Sequence, residues 1–256
     1  LPRISAFQGK GVMAETCIKT RVDGGIAVIT LDRPDVLNAL NSVLMAEVSE
    51  AMKRFTAAKD VRVIVIHGNG RAFSAGFDLK ESAAKNYTTL AEWRPVLEYD
   101  FNFIMQFWDC PKPVIAAVHG FCLAGAFEVA LSCDVTIAAE GTRFGEPEVR
   151  FGSGMVALLL PWFVGPKAAK ELLLTGNDKI DAKRALDLGI VNHVVPAGQE
   201  VEKAMEIARD MVAAAPLSVE LTKRALNRTY EMMNMRQSLL AALDIDREWV
   251  EKRDAP

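Results

Sequence analysis

Clustered cysteine, clustered histidine, phosphate-binding glycine loops and long apolar runs are all missing from this chain, and each absence removes a class of function. The four cysteines, Cys17, Cys110, Cys122 and Cys133, show no CxxC spacing, and His67, His119 and His193 lie in separate segments without metal-ligand spacing. This pattern predicts free, mostly buried thiols and no metal centre. With no signal peptide, it also predicts a reducing, cytoplasmic setting. Neither GxGxxG nor GxxxxGK followed by Ser or Thr occurs, so the dinucleotide and P-loop fingerprints are excluded. No apolar stretch approaches the roughly 20 residues that span a bilayer. The longest candidate, Met155 to Val164, is interrupted by Pro161. Lysine and arginine total 30 against 33 acidic residues, spread without a basic stripe, which argues against nucleic acid or an anionic membrane as the main partner. There is no internal repeat and no low-complexity tract.

What remains is a chain of 256 residues, half of them hydrophobic and a quarter charged, enough to bury a full core in one domain with a helical extension. Residues 1–12 precede Met13 and read as a leader or remnant outside the fold. Gly24 to Leu31 reads as a strand, followed by a helix capped by Asn41 or Ser42 and running to about Ala58, with Leu44, Val48, Met52 and Phe55 on one face. Further strands are expected at Val61–Ile66, Val114–Val118 and Val135–Ala138, with helices at Leu90–Trp108 and Gly125–Ser132. Alternation of this kind predicts an α/β core covered on both faces over residues 13–195. After about Gly165 the chain turns helical, at Lys167–Leu174, Ala182–Leu188, Glu200–Ala214, Ser218–Tyr230 and Met235–Lys252, with one short strand at Val191–Val195. Residues 196–256 therefore read as a helical packing or oligomerisation region. The methionines at 205, 211, 232, 233 and 235 read as core or subunit-interface filling.

Two glutamates stand out against this apolar background. Glu128 is the only carboxylate between Gly120 and Cys133, and no Lys or Arg lies between Lys112 and Arg143. A carboxylate taken from water needs a partner, a proton or a task. A distant salt bridge and a catalytic role both fit. Glu148 follows Pro147 in Phe144-Gly-Glu-Pro-Glu-Val-Arg-Phe-Gly152, where Glu146 or Glu148 could be solvated or pair with Arg150. Two carboxyls facing one dry pocket would have their pKa values driven apart, separating an acid from a base.

Two glycines suggest backbone donors aimed at an anion. Gly76 lets the chain bend so that the Phe77 amide points into a cavity rather than a ladder. Gly125 stands where a helix begins, leaving its amide free at the positive end of the dipole. Converging on one point, the two would form an oxyanion hole.

Six segments, in order, resemble the crotonase superfamily of enoyl-CoA hydratases and isomerases over residues 20–230: Leu31-Asp-Arg-Pro-Asp-Val-Leu-Asn-Ala-Leu40, Ala72-Phe-Ser-Ala-Gly-Phe-Asp-Leu79, Pro113-Val-Ile-Ala-Ala-Val-His-Gly120, Gly125-Ala-Phe-Glu-Val-Ala-Leu-Ser-Cys-Asp134, Phe144-Gly-Glu-Pro-Glu148, and Leu174-Thr-Gly176 with Ala185-Leu-Asp-Leu-Gly-Ile-Val191. The resemblance implies a spiral of ββα turns with a helical trimerisation region, a trimer or dimer of trimers, and an acyl-coenzyme A thioester as substrate with no further cofactor. It implies that Phe77 and Gly125 supply the oxyanion amides. Leu37, Ala39, Ala75, Asp78 and Leu79 would line the coenzyme A site, and Pro147 and Phe151 would flank the acyl group. Glu128 would hold or deprotonate water for attack at Cβ, and Glu148 would deliver a proton at Cα.

The expected reaction is syn hydration of a trans-2-enoyl-CoA. Isomerisation or carnitinyl-CoA-type dehydration is the alternative, and a non-catalytic binding partner is a more distant one. Three departures from the family pattern bear on the substrate. Val156-Ala-Leu-Leu-Leu-Pro-Trp162 replaces a glycine-rich stretch, Glu146 stands where many members carry Gln, and the segment at 246–256 is short. The first predicts an acyl group other than a simple short enoyl chain.

Overall fold

The computed structural model describes residues 16–253, and side chains through residue 244 other than Leu90. Both the expected leader at 1–12 and the side chains of residues 246–256 lie outside the described residues. The chain opens with an antiparallel hairpin, β1 (Ile18–Asp23) and β2 (Ile26–Leu31), turning at Gly24 and Gly25 with φ of 55° and 83°. The run from Gly24 is thus a turn and a strand, and β1 is an additional strand. Its alternating Lys19, Arg21 and Asp23 hide it from a search for apolar runs.

Helix α1 (Ser42–Ala57) starts where Asn41 accepts the Leu44 amide at 3.0 Å, and it buries the Leu44, Val48, Met52 and Phe55 stripe. There follow β3 (Val63–Gly68), α2 (Leu79–Ala84) and α3 (Leu90–Asp109). Next come β4 (Val114–Val118), β5 (Phe121–Leu123), α4 (Gly125–Ser132), β6 (Val135–Ala139) and β7 (Arg143–Gly145). The remainder holds α5 (Leu160–Val164), α6 (Pro166–Leu174), β8 (Ile180–Asp181), α7 (Ala182–Asp187), β9 (His193–Val195), α8 (Glu200–Ala213), α9 (Pro216–Met232) and α10 (Met235–Arg253).

The strands form a six-stranded sheet ordered β1-β2-β3-β4-β6-β9, parallel from β2 onward, and a three-stranded sheet ordered β5-β7-β8. The chain passes from β4 in the large sheet to β5 in the small one, through α4, and back to β6 and then β7. Alternation along the large sheet sends Ile29, Ile64, Ala116 and Ala138 into the main core, and Val28, Val65, Ile115 and Ile137 to the opposite face. That second face is covered by Ala204, Met205 and Ala208 of α8. This double burial explains the near-continuous apolar strands. Met205 and Met235 are core residues, whereas Met232 and Met233 are exposed. The thiols are free, and Cys110, Cys122 and Cys133 are buried.

Helix α9 is tied to this body by one buried cation. Lys223 Nζ lies 2.6 Å from Asp134 Oδ2 and donates to the carbonyls of Lys112 and Phe107, while Asp134 also accepts the Val114 amide at 2.7 Å. Burial holds the Asp134 carboxyl above its ordinary range even against the pull of Lys223. Removing one partner of such a pair strands the other. Lys223→Met should therefore destabilise the fold by about 3 kcal/mol in chemical denaturation, and adding Asp134→Leu should recover part of the loss.

Candidate active site

Two loops meet along a backbone seam that begins at Asn38. Leu37 and Asn38 both adopt left-handed conformations, with φ of 53° and 54°. The Asn38 side chain is fully buried, accepts the Arg33 amide at 2.8 Å, and donates to the carbonyls of Ala72 at 2.8 Å, Asn69 at 2.9 Å and Phe73 at 3.1 Å. A buried amide with this many partners fixes both chains, because each bond lost would leave a polar group dry. Further along the seam, Ala75 N–H donates to Leu37 O, Leu40 N–H to Gly76 O and Asp78 N–H to Leu40 O, at 2.8 to 3.1 Å. Since the groups on either side of Phe77 face Leu40, the Phe77 N–H is turned to the opposite edge.

That edge meets the start of α4. Gly76 has φ of 92°, and a Cβ there would lie 2.5 Å from Ala124 Cβ and 2.8 Å from Leu123 O. A Cβ on Gly125 would lie 2.3 Å from the Phe77 ring. Close approach therefore favours glycine at both positions, and backbone bend adds to it at Gly76. Ala124, a non-glycine residue at φ 56° and ψ −139°, holds a costly conformation that orients the peptide entering α4. Among the described residues, neither the Phe77 nor the Gly125 amide donates to a protein acceptor.

Glu128 lies one turn into α4, a helix buried along its whole length, and is 1% exposed. Its Oε1 accepts the Ala157 amide at 2.9 Å. The contact that the sequence left open is thus a main-chain donor, supplied by the very stretch that departs from the family pattern. Val156, its neighbour, is buried and lines the cavity.

Glu146 and Glu148 leave β7 through Pro147 into a short 3-10 turn, Glu148–Phe151. Arg150 does not pair with either. It binds Asp178 at 3.1 Å and the Thr175 carbonyl at 3.3 Å. Glu146 and Glu148 instead lie close enough to act on one another, an influence that raises the Glu146 carboxyl and lowers that of Glu148. Burial pushes the Glu146 carboxyl well above the ordinary range, with the charges of Glu148 and Glu128 adding to the effect. Burial also raises Glu148, opposed by its own backbone amide and by Glu146.

Glu128 and Glu148 open onto one cavity of about 380 Å³. Of the residues singled out from sequence, Ala39, Ala75, Phe77 and Leu79 line one side of it, and Pro147 and Phe151 line the side near Glu148. Gly125 does not itself line the cavity but follows Ala124, which does, and packs against the Phe77 ring. Asp78 faces a neighbouring outer groove with Arg33 and Lys80, and Ala39 and Leu79 line both spaces. Asp78 is held there by Arg33 at 3.2 Å and caps α2. Leu37 acts through its carbonyl in the seam. Sequence reasoning assigned no role to Asn38, to the Ala157 amide, or to the cavity wall formed by Trp93, Leu97 and Asp100 of α3. Asn38 and Val156 stood inside quoted segments, but only three-dimensional neighbours reveal their partners. Asp100 gave no signal, because charged residues are common on helix surfaces.

Comparison with known proteins agrees with this geometry. The model of the enoyl-CoA hydratase/isomerase family matches residues 21–254. A probable mitochondrial enoyl-CoA hydratase of Dictyostelium discoideum is 37% identical over 224 residues, 83% of this chain and 76% of that protein. A carnitinyl-CoA dehydratase of Salmonella typhi is 38% identical over 225 residues, 86% and 83% of the two chains. The crystal structure of an enoyl-CoA hydratase/isomerase from Xanthobacter autotrophicus Py2 superposes with a TM-score of 0.91 at 47% identity, covering 92% of this chain and 88% of that one. With its seam, cavity and glutamates in place, this chain belongs to the enoyl-CoA hydratase/isomerase family.

Proposed function

We propose that the protein is an enoyl-CoA hydratase that adds water reversibly, in the syn sense, to a trans-2-enoyl-CoA thioester. The observation that carries this reading is the opening of Glu128 and Glu148 onto one cavity beside two main-chain amides without protein acceptors. The coenzyme would lie along the outer groove, near Asp78, Arg33 and Lys80, with Leu37 and Ala75 shaping the passage. The thioester would pass between Ala39 and Leu79, bringing its oxygen to the Phe77 and Gly125 amides.

In the forward direction Glu128, oriented by Ala157, holds water and accepts its proton as the water oxygen bonds to Cβ. The π electrons move toward the thioester oxygen, and the two amides stabilise the enolate, an effect typically worth about 3 kcal/mol per donor. A proton from Glu148 then completes the product at Cα, and reversal of these steps is dehydration. The proton that Glu128 took from water returns to Glu148 before the next turnover, so the cycle closes with one water added across the double bond. No resident cofactor is invoked, since thioester, water, two carboxyls and two amides complete the chemistry.

The same groups could serve carnitinyl-CoA-type dehydration, the activity named for several relatives at 38% identity. Isomerisation would need only one of the two glutamates, so the retention of both favours water chemistry. A purely non-catalytic role leaves the buried carboxyls without a purpose.

The passage between two sheets through α4 supports a spiral of ββα turns over residues 13–195. Within residues 196–256, α8 covers the sheet, leaving α9 and α10 as the oligomerisation surface. Exposed Leu217, Leu226, Met232 and Met233 support a trimer or dimer of trimers. No helix among the described residues is long and apolar enough to cross a membrane. Free buried thiols agree with a reducing, cytoplasmic compartment.

Incubation with crotonyl-CoA should remove the conjugated thioester absorbance. Glu128→Gln should slow this by about 10²- to 10⁴-fold while leaving the fold intact by circular dichroism. No loss of absorbance with the wild type would count against hydration of that ester. Glu146 gives a separate test through linkage. Its pKa is raised on folding, so the folded state holds the proton more tightly, and that contribution to stability is full below the ordinary carboxylate range and lost as pH rises toward the folded value. Glu146→Gln should therefore gain stability relative to the wild type as pH rises above the ordinary carboxylate range in denaturant titrations. The opposite trend would mean that Glu146 is held as an anion.

A further inference from the structure

Away from the cavity, near the C-terminal ends of β3 and β4, a histidine and a glutamate face each other. His119 lies in the turn between β4 and β5, and Glu200 opens α8 and is 6% exposed. His119 Nδ1 stands 3.6 Å from Glu200 Oε1. Among the described residues, neither that nitrogen nor the other carboxyl oxygen, Glu200 Oε2, has a hydrogen-bond partner, and both atoms are shut off from solvent.

The opposite side of the ring determines what this contact requires. His119 Nε2 lies 3.0 Å from the Gly70 carbonyl, which can only accept, so Nε2 carries a hydrogen in every state of the ring. A neutral ring then points a bare lone pair at the carboxyl. Two acceptors facing each other in a dry contact repel. With one proton between them, on the imidazole or on the carboxyl, the same contact becomes attractive. His67 on β3 does not take that proton. Its Nδ1–H donates to the Gly68 carbonyl at 3.1 Å, its Nε2 meets the Thr30 hydroxyl at 2.9 Å, and burial holds it below the ordinary histidine range. The charges acting on His67 are those of His119, Glu200 and Arg21 of β1.

His119 is also built into the frame of the loop that carries Phe77. Its carbonyl accepts the Phe73 amide at 2.8 Å, and the Phe121 carbonyl accepts the Ser74 amide at 3.0 Å. Gly120 packs so closely that a Cβ there would lie 1.9 Å from the Arg71 carbonyl. Asn38 grips the same segment at the carbonyls of Asn69, Ala72 and Phe73. The His119 ring thus clamps Gly70 between two Asn38 acceptors, on the segment that runs on to Phe77.

We propose that His119 is a positioning residue for the Phe77 amide, and that the proton it shares with Glu200 latches the segment from Asn69 to Phe77 to α8. The inference rests on the reading of Phe77 as an oxyanion donor and adds a distant pair that sets its loop. With the proton in place, Glu200 holds the ring against the Gly70 carbonyl. Without it, repulsion from the carboxylate drives the ring off that carbonyl and loosens the segment. Because the attractive state is the protonated one, the latch is complete on the acid side and fails as pH rises.

Glu200→Gln separates charge from shape, since a glutamine amide donates to the neutral ring and keeps the contact at every pH. Hydrogen exchange of residues 69–77, read by mass spectrometry on wild type and variant at matched pH, follows the latch without turnover. The two should exchange alike at pH 6, and at pH 9 the wild type should exchange about fivefold to tenfold faster. The ratio of variant to wild-type kcat on crotonyl-CoA should rise by about the same factor over that range, because the titrations of the pocket glutamates are common to both. His119→Ala, which loses both ring contacts, should exchange at pH 6 as fast relative to Glu200→Gln as the wild type does at pH 9. Equal exchange in wild type and Glu200→Gln throughout, or no effect of His119→Ala, would overturn the latch. A pH-dependent exchange difference with a flat kcat ratio would overturn its link to Phe77. Absence of turnover in every protein, with the exchange difference intact, would overturn the hydratase reading instead, and the carbonyl stretch of bound butyryl-CoA would then report the Phe77 amide in place of kcat.

Discussion

Close contact between two main-chain segments, Gly76-Phe77 and Ala124-Gly125, is the constraint on which the site depends. A side chain on either glycine would collide with the other segment, at 2.5 Å for Gly76 and 2.3 Å for Gly125. The contact is maintained from both sides. On one, the buried Asn38 amide and the hydrogen bonds from Ala75 to Asp78 fix the loop. On the other, Ala124 is held by the Gly145 carbonyl at 2.8 Å, which links the start of α4 to β7. The same strand β7 then delivers Glu146 and Glu148, so amides and carboxyls share one rigid frame. Preorganisation of this kind lets the donors act without reorganising as charge develops.

Dryness supplies the second part of the account. Glu128 and Glu146 are almost wholly buried, and burial together with the charges of Glu148 and Glu128 holds the Glu146 carboxyl well above the ordinary range. A carboxyl that keeps a proton near neutral pH can serve as an acid, while one fixed by a main-chain donor, as Glu128 is by Ala157, can stay ready to receive one. Environment, rather than residue type, divides the roles.

Much of this was legible in the sequence. Helix α4 and strand β4 follow the expected limits, and the cap and apolar face of α1 appear where Asn41 and the Leu44 stripe indicate. Periodicity carries such information because each element's buried face is local. The short strands β5, β7 and β8 escaped because two or three residues define no period. The pocket glutamates were visible as carboxyls in apolar surroundings. Their partners were not, since Ala157 is 29 residues from Glu128 and the Asn38 acceptors are 31 to 35 residues away. Arg150, a reasonable local partner for Glu148, was drawn off by Asp178, 28 residues distant. Asp100 was invisible for the opposite reason, being an ordinary residue type on an amphipathic helix whose surroundings alone make it unusual.

The central claim is that the Phe77 and Gly125 amides polarise a thioester carbonyl. Difference infrared spectroscopy of butyryl-CoA labelled with carbon-13 at that carbonyl measures this directly. Binding should move the carbonyl stretch to lower frequency than in water, and Gly125→Pro, which removes one donor, should reduce or abolish the shift. A stretch unchanged on binding to the wild type, or shifted equally in the variant, would contradict the account.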